Sequence, residues 1–385
     1  MLETVRAFAA LELADAGERD DALDGLARYC IGEASLAAEG LVGSAQVEWL
    51  DRVRADLESH RAALSWLIER CRGIEASDIA SGLTIFWAIR GHATEGLWWY
   101  EQILNLPSVP SVAESRILNG AAPMWYTQGE LGRARTTLER ALALARCVGD
   151  IGLAAQAENL LGHVEEAVGN VSAARDQFTR SVEAFQRLAI PWGVGNGLTG
   201  MAAVALATGD AAQAERLIEE ATAALRHAGP LFLSLALYVR AILEVRRGNA
   251  DAAITVVRES LTHVRELHDK FAFVYALVPL AAAAVLKGDD AWAARILGAR
   301  DAVTERTGVT IVDQSVHDLR EARRTRGPCP PRPGSVEPGV CGRARDLHRF
   351  VDDGQSTASW EAAHALRTPV CRASRARATI RPQRG

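Results

Sequence analysis

Lysine is almost missing from this chain: of its 43 basic side chains only Lys270 and Lys287 are lysines. A triphosphate-binding loop of the form GxxxxGK[ST] needs a lysine behind a glycine. Asp269 precedes one lysine and Leu286 the other, so no such loop is encoded. The six cysteines (Cys30, Cys71, Cys147, Cys329, Cys341, Cys371) include no CxxC pair, which excludes a zinc framework or a disulfide scaffold and leaves small buried or incidental residues. No apolar run approaches the roughly 18 residues of a membrane span, and the start, Met1 to Arg6, lacks the basic-then-apolar layout of a secretion signal. The expectation is a cytoplasmic protein that does not meet a membrane. His263 and His268 are five apart rather than the four of HExxH, and solvation or capping is the role expected of them. With no GxSxG, no Cys–His signature and no paired-carboxylate context, no enzyme, metal or cofactor is predicted.

What is present is unevenly distributed. Residues 1–321 hold 30 of the 43 basic and 43 of the 48 acidic side chains, a balance of −13, whereas residues 322–385 hold the other 13 and 5, a balance of +8. The second segment also carries seven of the thirteen prolines and three of the six cysteines, with no sustained helical or strand period. It reads as a disordered basic tail. Its arginines are not interleaved with aromatics and no recognition helix is visible, so direct sequence-specific DNA binding is not expected.

Ahead of the tail the chain repeats. Gly129-Glu130, Gly169-Asn170, Gly209-Asp210, Gly248-Asn249 and Gly288-Asp289 recur at 40, 40, 39 and 40 residues, and Gly91-His92 lies 38 before the first. Five residues after each glycine stands Ala134, Ala174, Ala214, Ala253 or Ala293, and nine after it Leu138, Phe178, Ile218, Val257 or Leu297. Seven before it stands Ala122, Gly162, Ala202, Ala241 or Ala281; twelve after it come Ala141, Ser181, Ala221 and Ser260, until Arg300 breaks the column as a capping unit would. Such columns describe stacked helical hairpins, with the glycine ending one helix in the left-handed region and the next acid or amide starting the other. Positions +5, +9 and +12 share a face of the second helix. Small residues let helices approach and the bulky +9 residue fills the gap.

The small-residue pattern around an inter-helix turn resembles the tetratricopeptide repeat in five units from about residue 113 to 300. The fold expected is all-α, a right-handed α-solenoid of tetratricopeptide-like hairpins with a disordered basic tail. Usual units run about 34 residues, so the longer period implies longer helices or longer linkers. Three earlier segments, Leu2 to Ala9 (LETVRAFA), Arg61 to Leu67 (RAALSWL) and Gly91 to Trp99 (GHATEGLWW), together with Ala294 to Ala299 (ARILGA), resemble the C-terminal half of actinobacterial LuxR/AfsR-type regulators, which are signal-transduction ATPases of several domains. The resemblance covers roughly residues 1–320. It implies a helical region at 1–80 like the end of a winged-helix and linker segment, repeats over 81–321 and the tail at 322–385. The nucleotide-binding module and an evident helix-turn-helix are absent from the pattern. The abrupt change to Arg, Pro and Cys after Glu321 is what a frameshift in GC-rich DNA would produce.

Concave faces of such arrays are lined by first helices. Asn119, Asn159, Thr199 and Tyr238, each ten before a glycine, with neighbouring Tyr126, His163 and Glu166, are therefore expected to face a partner groove. Trp87, Trp98, Trp99 and Trp125 cluster at the first repeats, either as core or as an aromatic pocket. Gly195-Asn196-Gly197-Leu198-Thr199-Gly200 satisfies GxGxxG but falls inside a first helix without a preceding strand, so close packing is its expected role. The function expected is a non-enzymatic interaction or sensor module of a transcriptional regulator, binding a protein partner or a separate regulator subunit. The alternatives are a small-molecule inducer sensor using the Trp cluster, or a truncated or frameshifted product.

Overall fold

In the computed structural model, residues 3–307 are described; the tail, its expected disorder, the frameshift reading and the end of the repeats at residue 321 lie outside them. The described residues are almost all helical, and among them the only β pairing is an isolated bridge between Gly43 and Ala228. Seven helices come first: α1 (Glu3–Asp15), α2 (Arg19–Gly40), α3 (Gln46–Ala55), α4 (Leu57–Glu69), α5 (Gly73–Gly82), α6 (Thr84–Ile89) and α7 (Ala93–Leu104). Five hairpins follow: α8 (Ser111–Thr127) with α9 (Leu131–Val148), α10 (Ile151–Ala167) with α11 (Val171–Arg187), α12 (Pro191–Ala207) with α13 (Ala211–Ala224), α14 (Pro230–Arg246) with α15 (Ala250–Leu267), and α16 (Lys270–Leu286) with α17 (Asp290–Thr307). No described helix is long and apolar enough to cross a membrane.

The period is set by helix length. α10, α11 and α12 each run 17 residues, joined by the short turns 168–170 and 188–190, so longer helices and not longer linkers account for the 40-residue unit. Each anchor glycine sits in the left-handed region, from φ +74° at Gly288 to +84° at Gly169, where a side chain would be strained. The residue after it opens the next helix: Asp210 accepts the Gln213 amide at 2.9 Å, and Asp289 the Trp292 amide at 2.9 Å. Each such cap contributes about 1 kcal/mol.

The repeat columns are the core. Ala134, Ala174, Ala214, Ala253 and Ala293 are buried, as are Leu138, Phe178, Ile218 and Val257. In the last hairpin Leu297 is only half-buried and Ile296 beside it takes the inner place. The glycine at 162 is required by packing, since a Cβ there would lie 2.6 Å from the Phe178 ring. Serines in the +12 column are tied across their hairpins, Ser181 to the Ala155 carbonyl at 2.8 Å and Ser260 to the Ser234 carbonyl at 3.3 Å. Arg300 is buried despite its charge and pairs with Asp301.

One apolar core runs from Ala27 to Met124, across residue 80, so the opening helices and the first repeat share a packed body. That core also takes in Leu267 from the end of α15. A short strap, residues 41–46, extends the contact: the Gly229 amide donates to the Val42 carbonyl at 3.1 Å, and the Leu231 amide donates to Oε1 of the fully buried Gln46 at 2.9 Å. Gly229 is needed there, because a Cβ would fall 2.6 Å from Gln46. The strap thus supplies from the N-terminal helices the cap that the first turn of α14 lacks.

Candidate functional site

Between the first helices lies a cavity of about 330 Å³, walled by α6, α8, α10, α12, α14 and the start of α16. All seven groove residues expected from the register, Asn119, Tyr126, Asn159, His163, Glu166, Thr199 and Tyr238, belong to its lining. They lie on a stripe that the helices repeat. Gln156, Asn196, Leu235 and Tyr275 stand thirteen before their glycines, Trp192, Leu231 and Phe271 seventeen before, and His163, Ala203 and Ile242 six before. Steps of four and three keep these positions on one face of a helix.

Two of the expected residues are not free arms but ties between consecutive first helices. Asn119 Nδ2 on α8 donates to the Leu153 carbonyl of α10 at 3.0 Å, and Asn196 Nδ2 on α12 donates to Asn159 Oδ1 on α10 at 2.7 Å. Each tie leaves one amide atom buried without a hydrogen-bond partner, Oδ1 of Asn119 and Nδ2 of Asn159. His163 bonds Asn196 in turn, and burial pushes its imidazole down to about 4, so it is neutral at pH 7. Its ring also meets Phe178 edge-on at 4.8 Å. Thr199 turns its hydroxyl inward to the Gly195 carbonyl at 2.8 Å.

The aromatic wall is not the one expected. Trp87 and Trp99 are 0% and 5% exposed within the apolar core, Trp98 and Trp125 pack against that core, and none of the four lines the cavity. The proposed Trp pocket is therefore corrected to core packing, because large aromatics at the junction of opening helices and first repeat fill the space between them. The cavity takes its aromatics elsewhere. Trp192 stacks on Phe232 at 5.3 Å, Phe271 contacts Tyr275 at 4.6 Å, Tyr275 meets Tyr238 at 5.3 Å, and Tyr126 reaches Phe271 at 6.4 Å across from α8 to α16. The sequence signal for these was the register itself: stepping three and four residues from the −10 column reaches Asn196, Tyr275 and Phe271 directly.

Charge on the wall is largely committed. Arg246 Nη1 donates to the Leu206 carbonyl. Asp269 caps α16 by accepting the Ala272 amide at 3.0 Å, and burial pushes its carboxyl up to about 6. The GxGxxG glycines serve packing, since added Cβ atoms would run into Leu225 at Gly195, Val182 at Gly197 and Phe178 at Gly200. His268, left-handed at φ +52°, ends α15. Among the described residues no group of three or more His, Cys, Asp or Glu is placed to hold a metal.

No family model matches the chain. Over 159 residues, 39% of its length, it is 31% identical to proteins of Mycobacterium tuberculosis (strain ATCC 25618 / H37Rv) and Mycobacterium bovis (strain ATCC BAA-935 / AF2122/97) named as HTH-type transcriptional regulators. The match spans 18% of those relatives' length. Among solved structures, NprR in complex with its cognate peptide NprX superposes with a TM-score of 0.51 at 12% identity, covering 77% of this chain and 84% of that one. A Rap protein complexed with competence and sporulation factor gives 0.49 at 11% identity, covering 87% and 100%. The chain is a tetratricopeptide-like α-solenoid whose sequence is similar to one region of HTH-type transcriptional regulators.

Proposed function

We propose that this chain is the sensing part of a transcriptional regulator: a non-enzymatic, cytoplasmic helical-repeat module that takes an effector into the cavity between its first helices and passes occupancy to a protein partner or a regulator subunit. The observation that carries this reading is the convergence of one register stripe from five successive hairpins on a single aromatic-walled cavity. Cavities of this size and lining, apolar with a few placed polar groups, suit an effector better than a flat protein surface would. The sequence similarity to regulators supports the regulatory role, and the peptide complex of NprR, a protein of the same fold, makes a peptide one candidate effector. The LuxR/AfsR affiliation belongs to this proposal, as does the supply of ATPase and DNA-binding functions by other chain segments or subunits.

The test is a thermal-shift comparison using the low-mass fraction of the host's lysate. The wild type should melt higher in its presence, while Ala203→Phe, which fills the cavity from α12, should not respond. Equal shifts in both proteins would place the effector elsewhere.

A further inference from the structure

We infer that, on the effector site proposed above, an apolar ring of the effector seats on Leu231 between Trp192 and Phe271, and that this seat is coupled to the strap holding α14 to the N-terminal helices. Trp192, Leu231 and Phe271 each stand seventeen before their glycines, on three consecutive first helices, and each is a half-buried residue of the cavity lining. They form an aromatic–aliphatic–aromatic row whose open surface a ligand can reach. Trp192 is backed by Phe232, stacked at 5.3 Å, and Phe271 by Tyr275 at 4.6 Å. The charges of the lining lie off this row. Glu166 and Arg246 stand three and two before their glycines, about 20 Å further along a helix. Asp269 is 2% exposed and accepts the Ala272 amide at 3.0 Å. An apolar ring is the group that such a row takes from water at least cost.

Leu231 is also where the cavity meets the strap. Its side chain packs against both the N-terminal core and the core around α12–α14, and Val42 of the strap packs on the second of these beside Trp192. Its amide donates to Gln46 Oε1 at 2.9 Å, while Gln46 Nε2 donates to the Leu41 carbonyl. The first turns of α10 and α16 are capped from within, by Asp150 and Asp269, whereas α14 takes its cap from 185 residues away. A ring on Leu231 makes full contact only when that first turn is docked, so binding favours the docked strap. By reciprocity a docked strap raises affinity for the ring.

The experiment uses the full chain and the neutral fluorophore N-phenyl-1-naphthylamine as the ring, read by fluorescence titration and by hydrogen exchange. Exchange of residues 41–46, none of which lines the cavity, should slow about threefold when the fluorophore is added. Gln46→Ala should weaken fluorophore binding about fivefold, whereas Asp210→Ala, which removes a cap from α13 outside the cavity, should leave it unchanged. If Gln46→Ala fails to fold, the exchange of residues 41–46 in the wild type decides alone. Exchange there that ignores the fluorophore, or a Gln46→Ala affinity no lower than that of Asp210→Ala, overturns the coupling and leaves the effector site standing. A fluorophore bound as tightly by Leu231→Asp as by the wild type overturns the seat. Fluorophore binding that is absent, or unchanged by Ala203→Phe, overturns the site itself.

Discussion

Single residues show how burial, and not sequence distance, fixes what each group does. Gly200 and Gly162 both face the ring of Phe178, so Gly200→Ala should destabilise by about 1–3 kcal/mol through overpacking. The surface change Ala173→Ser on α11 should cost well under that, roughly 0.5 kcal/mol or less, and urea melts that ranked the two equally would contradict the packing argument. Two cavity groups titrate in opposite senses. The Asp269 carboxyl is pushed up to about 6 from an ordinary 3.8, so its folded form holds a proton the unfolded chain has lost, and its contribution fades as pH rises from about 4 through 6. The His163 ring is pushed down to about 4 from 6.5, so its contribution fades as pH falls through the same window, and His60 is lowered by burial in the same sense. The two slopes oppose each other in the wild type. Asp269→Asn should therefore gain stability between pH 4.5 and 6.0, and His163→Gln should lose that rise or reverse it, with a difference on the order of 1 kcal/mol per pH unit in chemical melts. Identical slopes in both variants would show that neither group is buried as described.

At the scale of elements, the hairpins and the strap differ in how far the sequence announces them. The six anchor glycines, the buried +5 alanines and the −10 positions were legible because a stacked repeat writes the same physical constraint every 40 residues. The −10 column led to the cavity, but not to the hydrogen bonds that bury Asn119 and Asn159 between first helices. Those depend on how far one hairpin is rotated on the next, which a one-dimensional period does not contain. The Trp cluster shows the opposite failure, since aromatics gathered in sequence are as compatible with a core as with a pocket, and here Trp87 and Trp99 are core. The strap left no signal at all: Gln46 caps α14 across 185 residues, and nothing in its neighbourhood repeats. Gln46→Ala should cost about 1–2 kcal/mol by removing that cap and orphaning the Leu231 amide. Hydrogen exchange at Leu231 and Phe232 should quicken more than at α10, and uniform exchange would deny the strap this role.

For the described molecule as a whole, the N-terminal helices and strap reach the fourth hairpin, and the first helices turn the same face toward one cavity. A linear stack in which each hairpin touched only its neighbours would melt unit by unit. The long-range contacts of Val42, Gln46 and Leu267 couple the opening helices to the fourth hairpin, so loss of α14 packing should be felt in the N-terminal core. This coupling is also what would let an effector seated among α8, α10, α12 and α14 alter the surface that a partner reads. The most direct test is native mass spectrometry of the full chain after incubation with the low-mass fraction of its host's lysate. A discrete mass should be added at one copy per chain in the wild type and lost in Ala203→Phe. A wild type that stays at its bare mass, or an adduct that survives the cavity-filling change, would contradict the sensing role.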